Sequence, residues 1–165
     1  MIKRWMKRAV GGIVLPILGV SLFTLASRDA GYRTDVPPPT GKETYAQVMP
    51  ASIGEEPMEI QPLPLDGDRL HGARARYGSR ASIEIVQARS PDHLDAYVAE
   101  HVRPRLEGYE SRASAKINGR WSLRGNGDDG RLYGWQNQNW LFVIEAASDE
   151  LFDEAVDRFA YIRRD

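Results

Sequence analysis

The stretch Trp140-Leu-Phe-Val-Ile-Glu-Ala146 decides the fold of this chain. Its β-forming residues predict a strand, and the apolar side chains alternate between both faces: Trp140, Phe142 and Ile144 on one, Leu141 and Val143 on the other. A strand with two apolar faces is covered on both of them. We therefore expect this strand to lie at the centre of a sheet, with other elements packed above and below.

The chain on the N-terminal side of this strand has the pattern of antiparallel hairpins. Residues 132–136 are predicted to pair with it through a turn at Asn137-Gln138-Asn139, and Asn118-Gly119 is a strong signal for another hairpin turn. Proline-rich residues 55–65 are expected to form an edge strand at best. The remaining predicted strands are residues 69–77, 81–88, 109–117 and 120–124.

Two helices complete the predicted domain. Ser90-Pro91-Asp92 has the composition of a helix start, and Pro104 and Gly108 are expected to end that helix. Ser148 is expected to cap a closing helix, whose buried stripe runs from Phe152 to Ala160. The element order is therefore β-β-β-α-β-β-β-β-α. It predicts an α+β domain with a mostly antiparallel sheet and two packed helices rather than a doubly wound parallel fold.

This element order resembles that of small sheet-plus-helix periplasmic domains of the PsbP kind. The resemblance lies in the order of elements alone. It implies no functional residues and no activity for this chain.

The first 26 residues differ from the rest. Residues 1–8 contain four basic side chains, and residues 9–26 form an apolar run without a charge. Eighteen helical residues span about 27 Å, close to the roughly 30 Å of a bilayer core. We expect residues 9–26 to be a transmembrane helix, with Gly12, Pro16 and Gly19 available for helix packing. The alternative is a cleaved secretory signal.

With either interpretation, the remainder of the chain lies on the same side of the membrane. The basic residues favour a cytoplasmic N-terminus, and the excess of arginine over lysine is typical of a GC-rich bacterial genome. We expect a bacterial inner-membrane protein with a cytoplasmic flank at residues 1–8. A proline-rich linker at residues 27–42 and a periplasmic α+β domain at residues 43–165 are expected to follow.

Charge and composition limit the classes of partner and chemistry that fit this chain. All 23 acidic residues but only 18 of the 22 basic residues follow Ala26, so the exported part has a net charge of −5. This acidity argues against nucleic acid and against anionic lipid headgroups as partners. The chain has no cysteine, which excludes disulfides and thiolate chemistry.

The sequence contains no strong motif for catalysis, metal binding or nucleotide binding. Residues 125–130 match G-x-G-x-x-G, but the motif leads into a predicted strand and carries two aspartates, so a dinucleotide site is not expected. His93 and His101 are eight residues apart on one helix, too far to share a metal. No common nucleophile or phosphate-loop motif occurs. We expect no cofactor, no metal and no enzymatic activity.

One stretch has the composition of a recognition surface. Tryptophans and neutral amides cluster around the predicted hairpin turn at residues 137–139, and such side chains are common in protein and carbohydrate contacts. The alternative is that the tryptophans fill the core. The candidate partner-binding residues are Trp121, Tyr133, Trp135, Gln136, Asn137 and Asn139.

Three functions are compatible with this sequence. The first is a membrane-anchored, non-catalytic accessory or assembly subunit of an inner-membrane protein complex. The second is a periplasmic module that binds a glycan or a small apolar molecule through the tryptophan-rich hairpin. The third is an exported hydrolase whose site is not visible in the sequence.

Overall fold

The structure is a computed structural model that describes residues 31–164. The predicted transmembrane helix at residues 9–26, with Gly12, Pro16 and Gly19, lies outside the described residues. Within residues 31–164, every helix is too short or too polar to cross a bilayer. The chain from Tyr32 onward forms one compact unit.

The described part of the chain contains ten strands, four α-helices and one π-helical turn, Val98–Val102. The helices are α1 (Tyr45–Val48), α2 (His93–Tyr97), α3 (Arg103–Leu106) and α4 (Asp149–Arg158). The strands are β1 (Tyr32–Arg33), β2 (Ser52–Ile53), β3 (Glu56–Pro62), β4 (Leu70–Tyr77), β5 (Ala81–Ala88), β6 (Ser111–Ile117), β7 (Arg120–Gly127), β8 (Gly130–Asn137), β9 (Trp140–Ala146) and β10 (Arg163–Arg164).

Eight of the strands form an antiparallel sheet in the order β2-β3-β4-β5-β9-β8-β7-β6. The chain makes two meanders, which join where β5 pairs with β9 and Ile85 lies opposite Phe142. Strand β9 therefore lies inside the sheet, and all of its residues except Glu145 are buried. The predicted small α+β domain with an antiparallel sheet is confirmed, as are the bounds of its central strand.

Different helices cover the two faces of the sheet. On the first face, Leu141 and Val143 of β9 share a buried apolar cluster with Leu94, Val98 and Leu106, which come from α2, the π-helical turn and α3. We call this the α2 face.

On the second face, the ring centroids of Phe142 and Phe159 lie 5.9 Å apart, and α4 buries Phe152 and Val156. We call this the α4 face. The alternation of apolar residues along β9 thus reflects two separate contact layers.

The helical segment from α2 to α3 continues past Pro104, so the prediction that this proline ends the helix was wrong. The backbone N–H of Arg103 donates to the carbonyl of Val98, five residues earlier, in a π-helical turn. This wider turn places Pro104 at the start of α3, where a missing N–H costs little. Helical structure ends at Leu106, before Gly108.

Helix α4 begins as predicted. The side chain of Ser148 accepts a hydrogen bond from the backbone N–H of Leu151, at 3.3 Å. The helix ends at Arg158, so Ala160 lies outside it and is exposed, contrary to the predicted stripe.

The predicted loop at residues 125–130 is a turn of two residues, Asp128 and Asp129, between β7 and β8. Its glycines have packing roles. A Cβ on Gly125 would lie 2.5 Å from the ring of Tyr109. Gly130 has a φ of +129°, and a Cβ there would lie 2.1 Å from the carbonyl oxygen of Ala146. Steric demand therefore accounts for these two glycines of the G-x-G-x-x-G match.

Part of the stretch predicted as a linker lies on the α4 face. Strand β1 pairs with β10, with Tyr32 opposite Arg164. Side-chain exposure alternates along residues 31–38, and Pro39 is buried. We call residues 32–39 the strap.

Candidate functional site

The six candidate partner-binding residues do not share one surface. Tyr133, Trp135 and Asn137 belong to β8 and point to the α4 face, whereas Trp121 and Gln136 lie on the α2 face. The exposed fractions are 9% for Trp121, 7% for Tyr133, 2% for Trp135, 5% for Gln136 and 6% for Asn137. Asn139, in the hairpin turn, is half-buried.

The strap occupies the β8 part of the α4 face. The ring centroid of Tyr32 lies 5.3 Å from that of Tyr133. The Nδ2 group of Asn137 donates to the backbone oxygens of Val36, at 2.7 Å, and Thr34, at 3.3 Å. Tyr133 and Asn137 thus already contact a segment of the same chain. That these residues bind a partner stays a prediction.

The amide side chains of the hairpin also form hydrogen bonds within the domain. Gln136 accepts the backbone N–H of Trp121 at 3.2 Å and donates to the carbonyl of Gln138 at 2.8 Å. Asn139 donates to the carbonyl of Ala88 at 2.6 Å. The bonds of Gln136 to Trp121 and of Asn139 to Ala88 connect the hairpin to β7 and β5, and the bond to Gln138 holds the turn; buried amides are usually hydrogen-bonded in this way.

Trp121 connects strand β7 to helix α2. Its indole N–H donates to Asp95 at 2.8 Å, and the Lys116 ammonium lies 2.8 Å from the same carboxylate. The Arg103 guanidinium lies 5.2 Å from the centre of the indole ring. The hydrogen bond from Lys116 is the main cause that lowers the pKa of Asp95, followed by the one from Trp121. Sequence position alone did not show that these groups meet.

Strand β6 is the open edge of the sheet. It pairs only with β7, and all seven of its residues are exposed. Ile117, at its end, is 38% exposed and is the one exposed large hydrophobic residue among residues 31–164. An edge strand has unpaired backbone groups along one side, which can pair with a strand from another chain.

A cavity of about 290 Å³ lies between β6 and helix α3. Arg103 and Arg112 line it, with Leu106, Glu107, Ala113 and Ser114. Arg103 contacts the hydroxyl of Ser114 at 3.3 Å, and Arg112 donates to the backbone carbonyl of Tyr109 at 3.2 Å. Within residues 31–164, neither guanidinium lies within 4.0 Å of a carboxylate. The cavity is thus lined by two arginines and one acid, Glu107, and neither arginine forms a salt bridge among residues 31–164.

The opposite edge of the sheet is protected. Strand β2 covers only the start of β3, and the exposed rest of β3 contains Pro62 and the acidic Glu59. Proline and charge at an edge both oppose pairing with further strands. Both edges carry charge, since β6 contains Arg112 and Lys116, but only β6 is a long strand without proline.

A buried charge network lies on the α2 face. Glu84 is 1% exposed and accepts hydrogen bonds from Arg74 Nε at 2.8 Å, Arg105 at 2.9 Å and the Tyr97 hydroxyl at 2.8 Å. Burial by itself would raise the pKa of Glu84, but the charges of Arg105 and Arg74 and the bond from Tyr97 outweigh it and lower the pKa. Glu84 therefore stays ionised and ties the helical segment to the sheet.

No observation on residues 31–164 supports a metal site or a nucleotide site. Residues 31–164 contain no group of three or more His, Cys, Asp or Glu side chains placed to hold a metal ion. The residues of the G-x-G-x-x-G match join two strands rather than a strand and a helix, and a helix N-terminus is what a phosphate loop requires.

Comparison with known proteins identifies no family. No family model matches the chain, and no curated protein matches it. Among solved structures, the chain is similar to a GTP-binding regulator from Thermotoga maritima, with 11% identity and a TM-score of 0.43. The match covers 64% of this chain and 78% of that chain. A likeness at this level does not establish a common fold or activity.

Proposed function

We propose that this chain is a single-pass, membrane-anchored periplasmic domain that acts as a non-catalytic accessory or assembly subunit of an inner-membrane protein complex. The apolar run at residues 9–26 and the basic residues before it support the anchor and its orientation. The compact unit begins after that run, at Tyr32, so the two parts use separate stretches of chain.

The observation that carries the accessory role is the open β6 edge. A partner strand that pairs with β6 gains main-chain hydrogen bonds along seven residues. Side-chain pockets beside such an edge supply specificity. The cavity between Arg103 and Arg112 is a pocket of this kind, adjacent to the edge.

The charges define the chemistry of the partner. An Asp or Glu side chain on the docked strand would enter the cavity between the two guanidinium groups and contact Leu106 through its aliphatic part. Charge-assisted hydrogen bonds between arginine and carboxylate are among the strongest in proteins. The partner is therefore an extended segment of another inner-membrane protein with an acidic residue in the docked strand.

A second copy of this chain fits the edge poorly. An antiparallel β6–β6 pair centred on Ser114 uses the whole strand and places Arg112 directly opposite Lys116. Like charges in directly opposed positions destabilise strand pairing. Head-to-tail pairing of β6 with β3 of another copy meets the proline at position 62. The edge thus favours a different chain.

Co-purification with a charge-reversed edge tests this proposal. The full-length tagged chain is purified from its native membrane in mild detergent, and the ratio of co-purifying protein to chain is measured. We expect one membrane protein in constant ratio with the wild type and its loss with R103E/R112E. The matched control, R69E/R89E, reverses two exposed arginines at the ends of β4 and β5 and is expected to keep the partner.

Two results would contradict the proposal. One is recovery of the wild-type chain alone. The other is a partner that R103E/R112E retains as well as the control does. Circular dichroism of each variant shows whether it has the wild-type fold, so that a lost partner is not confused with an unfolded domain.

A further inference from the structure

A second cavity, of about 340 Å³, lies at one end of the sheet on the α2 face. The β4–β5 turn, the β7–β8 turn and the C-terminal end of β9 surround it. Its lining includes Arg74, Arg76, Ser79, Arg80, Ser82 and Tyr109. It shares no lining residue with the cavity beside β6. The site is therefore separate from the surface on which the proposed function rests.

The inner wall of this cavity is held in place by the buried charge network. Arg74 is fixed by Glu84, through a bond of 2.8 Å from its Nε. Glu145, which also lines the cavity, accepts the hydroxyl of Tyr109 at 2.9 Å and lies 3.7 Å from Arg105. Glu145 thus has a hydrogen-bond donor in Tyr109 and a positive charge nearby in Arg105. The bond to Glu84 holds the Arg74 guanidinium in one position, which reduces the entropy lost when that guanidinium contacts a ligand.

The rim of the cavity is positive. Arg76 and Arg80 are exposed, and no carboxylate of residues 31–164 lies within 4.0 Å of either guanidinium. Three acids are nearby: Asp129 lines the cavity, Glu59 lies opposite Arg76 in the pairing of β3 with β4, and Glu150 is close enough to Arg80 to interact with its charge. Arg76 and Arg80 therefore share the cavity with one unmatched lining acid, Asp129, whereas the charge of Arg74 is already paired with Glu84.

We infer that this cavity binds the phosphoryl group of a phosphate monoester. Guanidinium groups match the oxygens of phosphate with paired N–H donors, and they are the usual choice for its recognition. Ser79 and Ser82 add hydroxyl donors at the wall. A cavity of this size lies within the range of small-molecule sites and leaves room for the group attached to the phosphate.

Binding is tested on the full-length chain in a neutral detergent at low ionic strength. Glycerol 3-phosphate is titrated, and the arginine Nε–Hε signals are followed by nuclear magnetic resonance. We expect saturable shifts in the wild type and an affinity lower by about tenfold or more in R76Q/R80Q, because two charge-assisted contacts are lost. The matched control, R69Q/R89Q, removes exposed arginines at the opposite ends of the same two strands and is expected to bind like the wild type.

A second titration, with dihexanoyl phosphatidic acid, distinguishes a soluble phosphate monoester from a lipid headgroup. Binding of glycerol 3-phosphate that the acyl chains do not strengthen assigns the site to a soluble ligand. Tighter binding of the lipid, with the same dependence on Arg76 and Arg80, assigns it to a headgroup. Absence of saturable shifts with either probe overturns the inference. Equal binding by R76Q/R80Q and R69Q/R89Q also overturns it.

Discussion

Replacement of Glu84 by glutamine removes the central charge of the buried network while keeping the side-chain shape. Loss of one member of a buried ion pair costs about 3–5 kcal/mol, because the remaining charge stays without its partner. Here Arg74 and Arg105 keep 34% and 21% of their side-chain surface exposed, so water solvates part of the charge left behind. We therefore expect E84Q to lower the free energy of unfolding by about 3 kcal/mol, near the lower end of that range.

The pH dependence of this loss has a definite sign. The folded-state pKa of Glu84 is lowered, whereas the unfolded chain has the ordinary value. The carboxylate therefore contributes its full stabilisation above the ordinary pKa, and the contribution is lost as pH falls through the lower folded-state pKa. The difference between wild type and E84Q is expected to be constant from about pH 6 to 8 and to shrink below about pH 4.

Urea-induced unfolding, followed by circular dichroism, measures both effects. The matched control is E154Q, which removes the partly exposed i,i+4 pair with Arg158 and is expected to cost no more than about 0.5 kcal/mol. A cost below about 1 kcal/mol for E84Q would refute the stabilising role of the network. A difference from wild type that persists unchanged in acid would refute the assignment of an ionised Glu84.

Three further variants test other contacts. G130A is expected to destabilise the domain by more than about 2 kcal/mol in urea unfolding, because its Cβ would collide with the carbonyl of Ala146 and the backbone φ is +129°; a neutral result would remove the steric explanation. W121F is expected to cost about 1–3 kcal/mol in the same assay, through loss of the indole bond to Asp95, and wild-type stability would show that this bond contributes nothing. Y32A is expected to cost about 1–3 kcal/mol in the same assay, because the ring contacts with Tyr133 and Phe152 are lost; unchanged stability would show that these contacts contribute nothing.

The elements of the domain were largely predictable because their signals are local. The apolar alternation along residues 140–146, the Asn118-Gly119 turn and the Ser148 cap each depend on neighbours in sequence, and each is present in the structure. The prediction that Pro104 ends the helix was wrong because a π-helical turn before this proline changes the hydrogen-bond register. Such a turn leaves no simple pattern in the sequence.

The candidate site depended on strand order, which local patterns do not specify. The sequence indicates a strand at residues 109–117 but not that it becomes the open edge, because that follows from β5 pairing with β9. The meeting of Glu84 with Arg105, 21 residues away, depends on how the helix crosses the sheet. Trp135 belongs to a stretch of unusual composition, yet its burial against Phe142 and Phe159 depends on which elements cover the α4 face.

The most direct test of the docking role is site-specific photo-crosslinking from the β6 edge in the native membrane. A photoreactive residue replaces Ala113, which is exposed on β6, and in a matched control it replaces Arg89 at the exposed end of β5. We expect an adduct from position 113 with an acidic extended segment of one membrane protein, identified by mass spectrometry, and no such adduct from position 89. No adduct from position 113, or an adduct with a second copy of this chain, would contradict it.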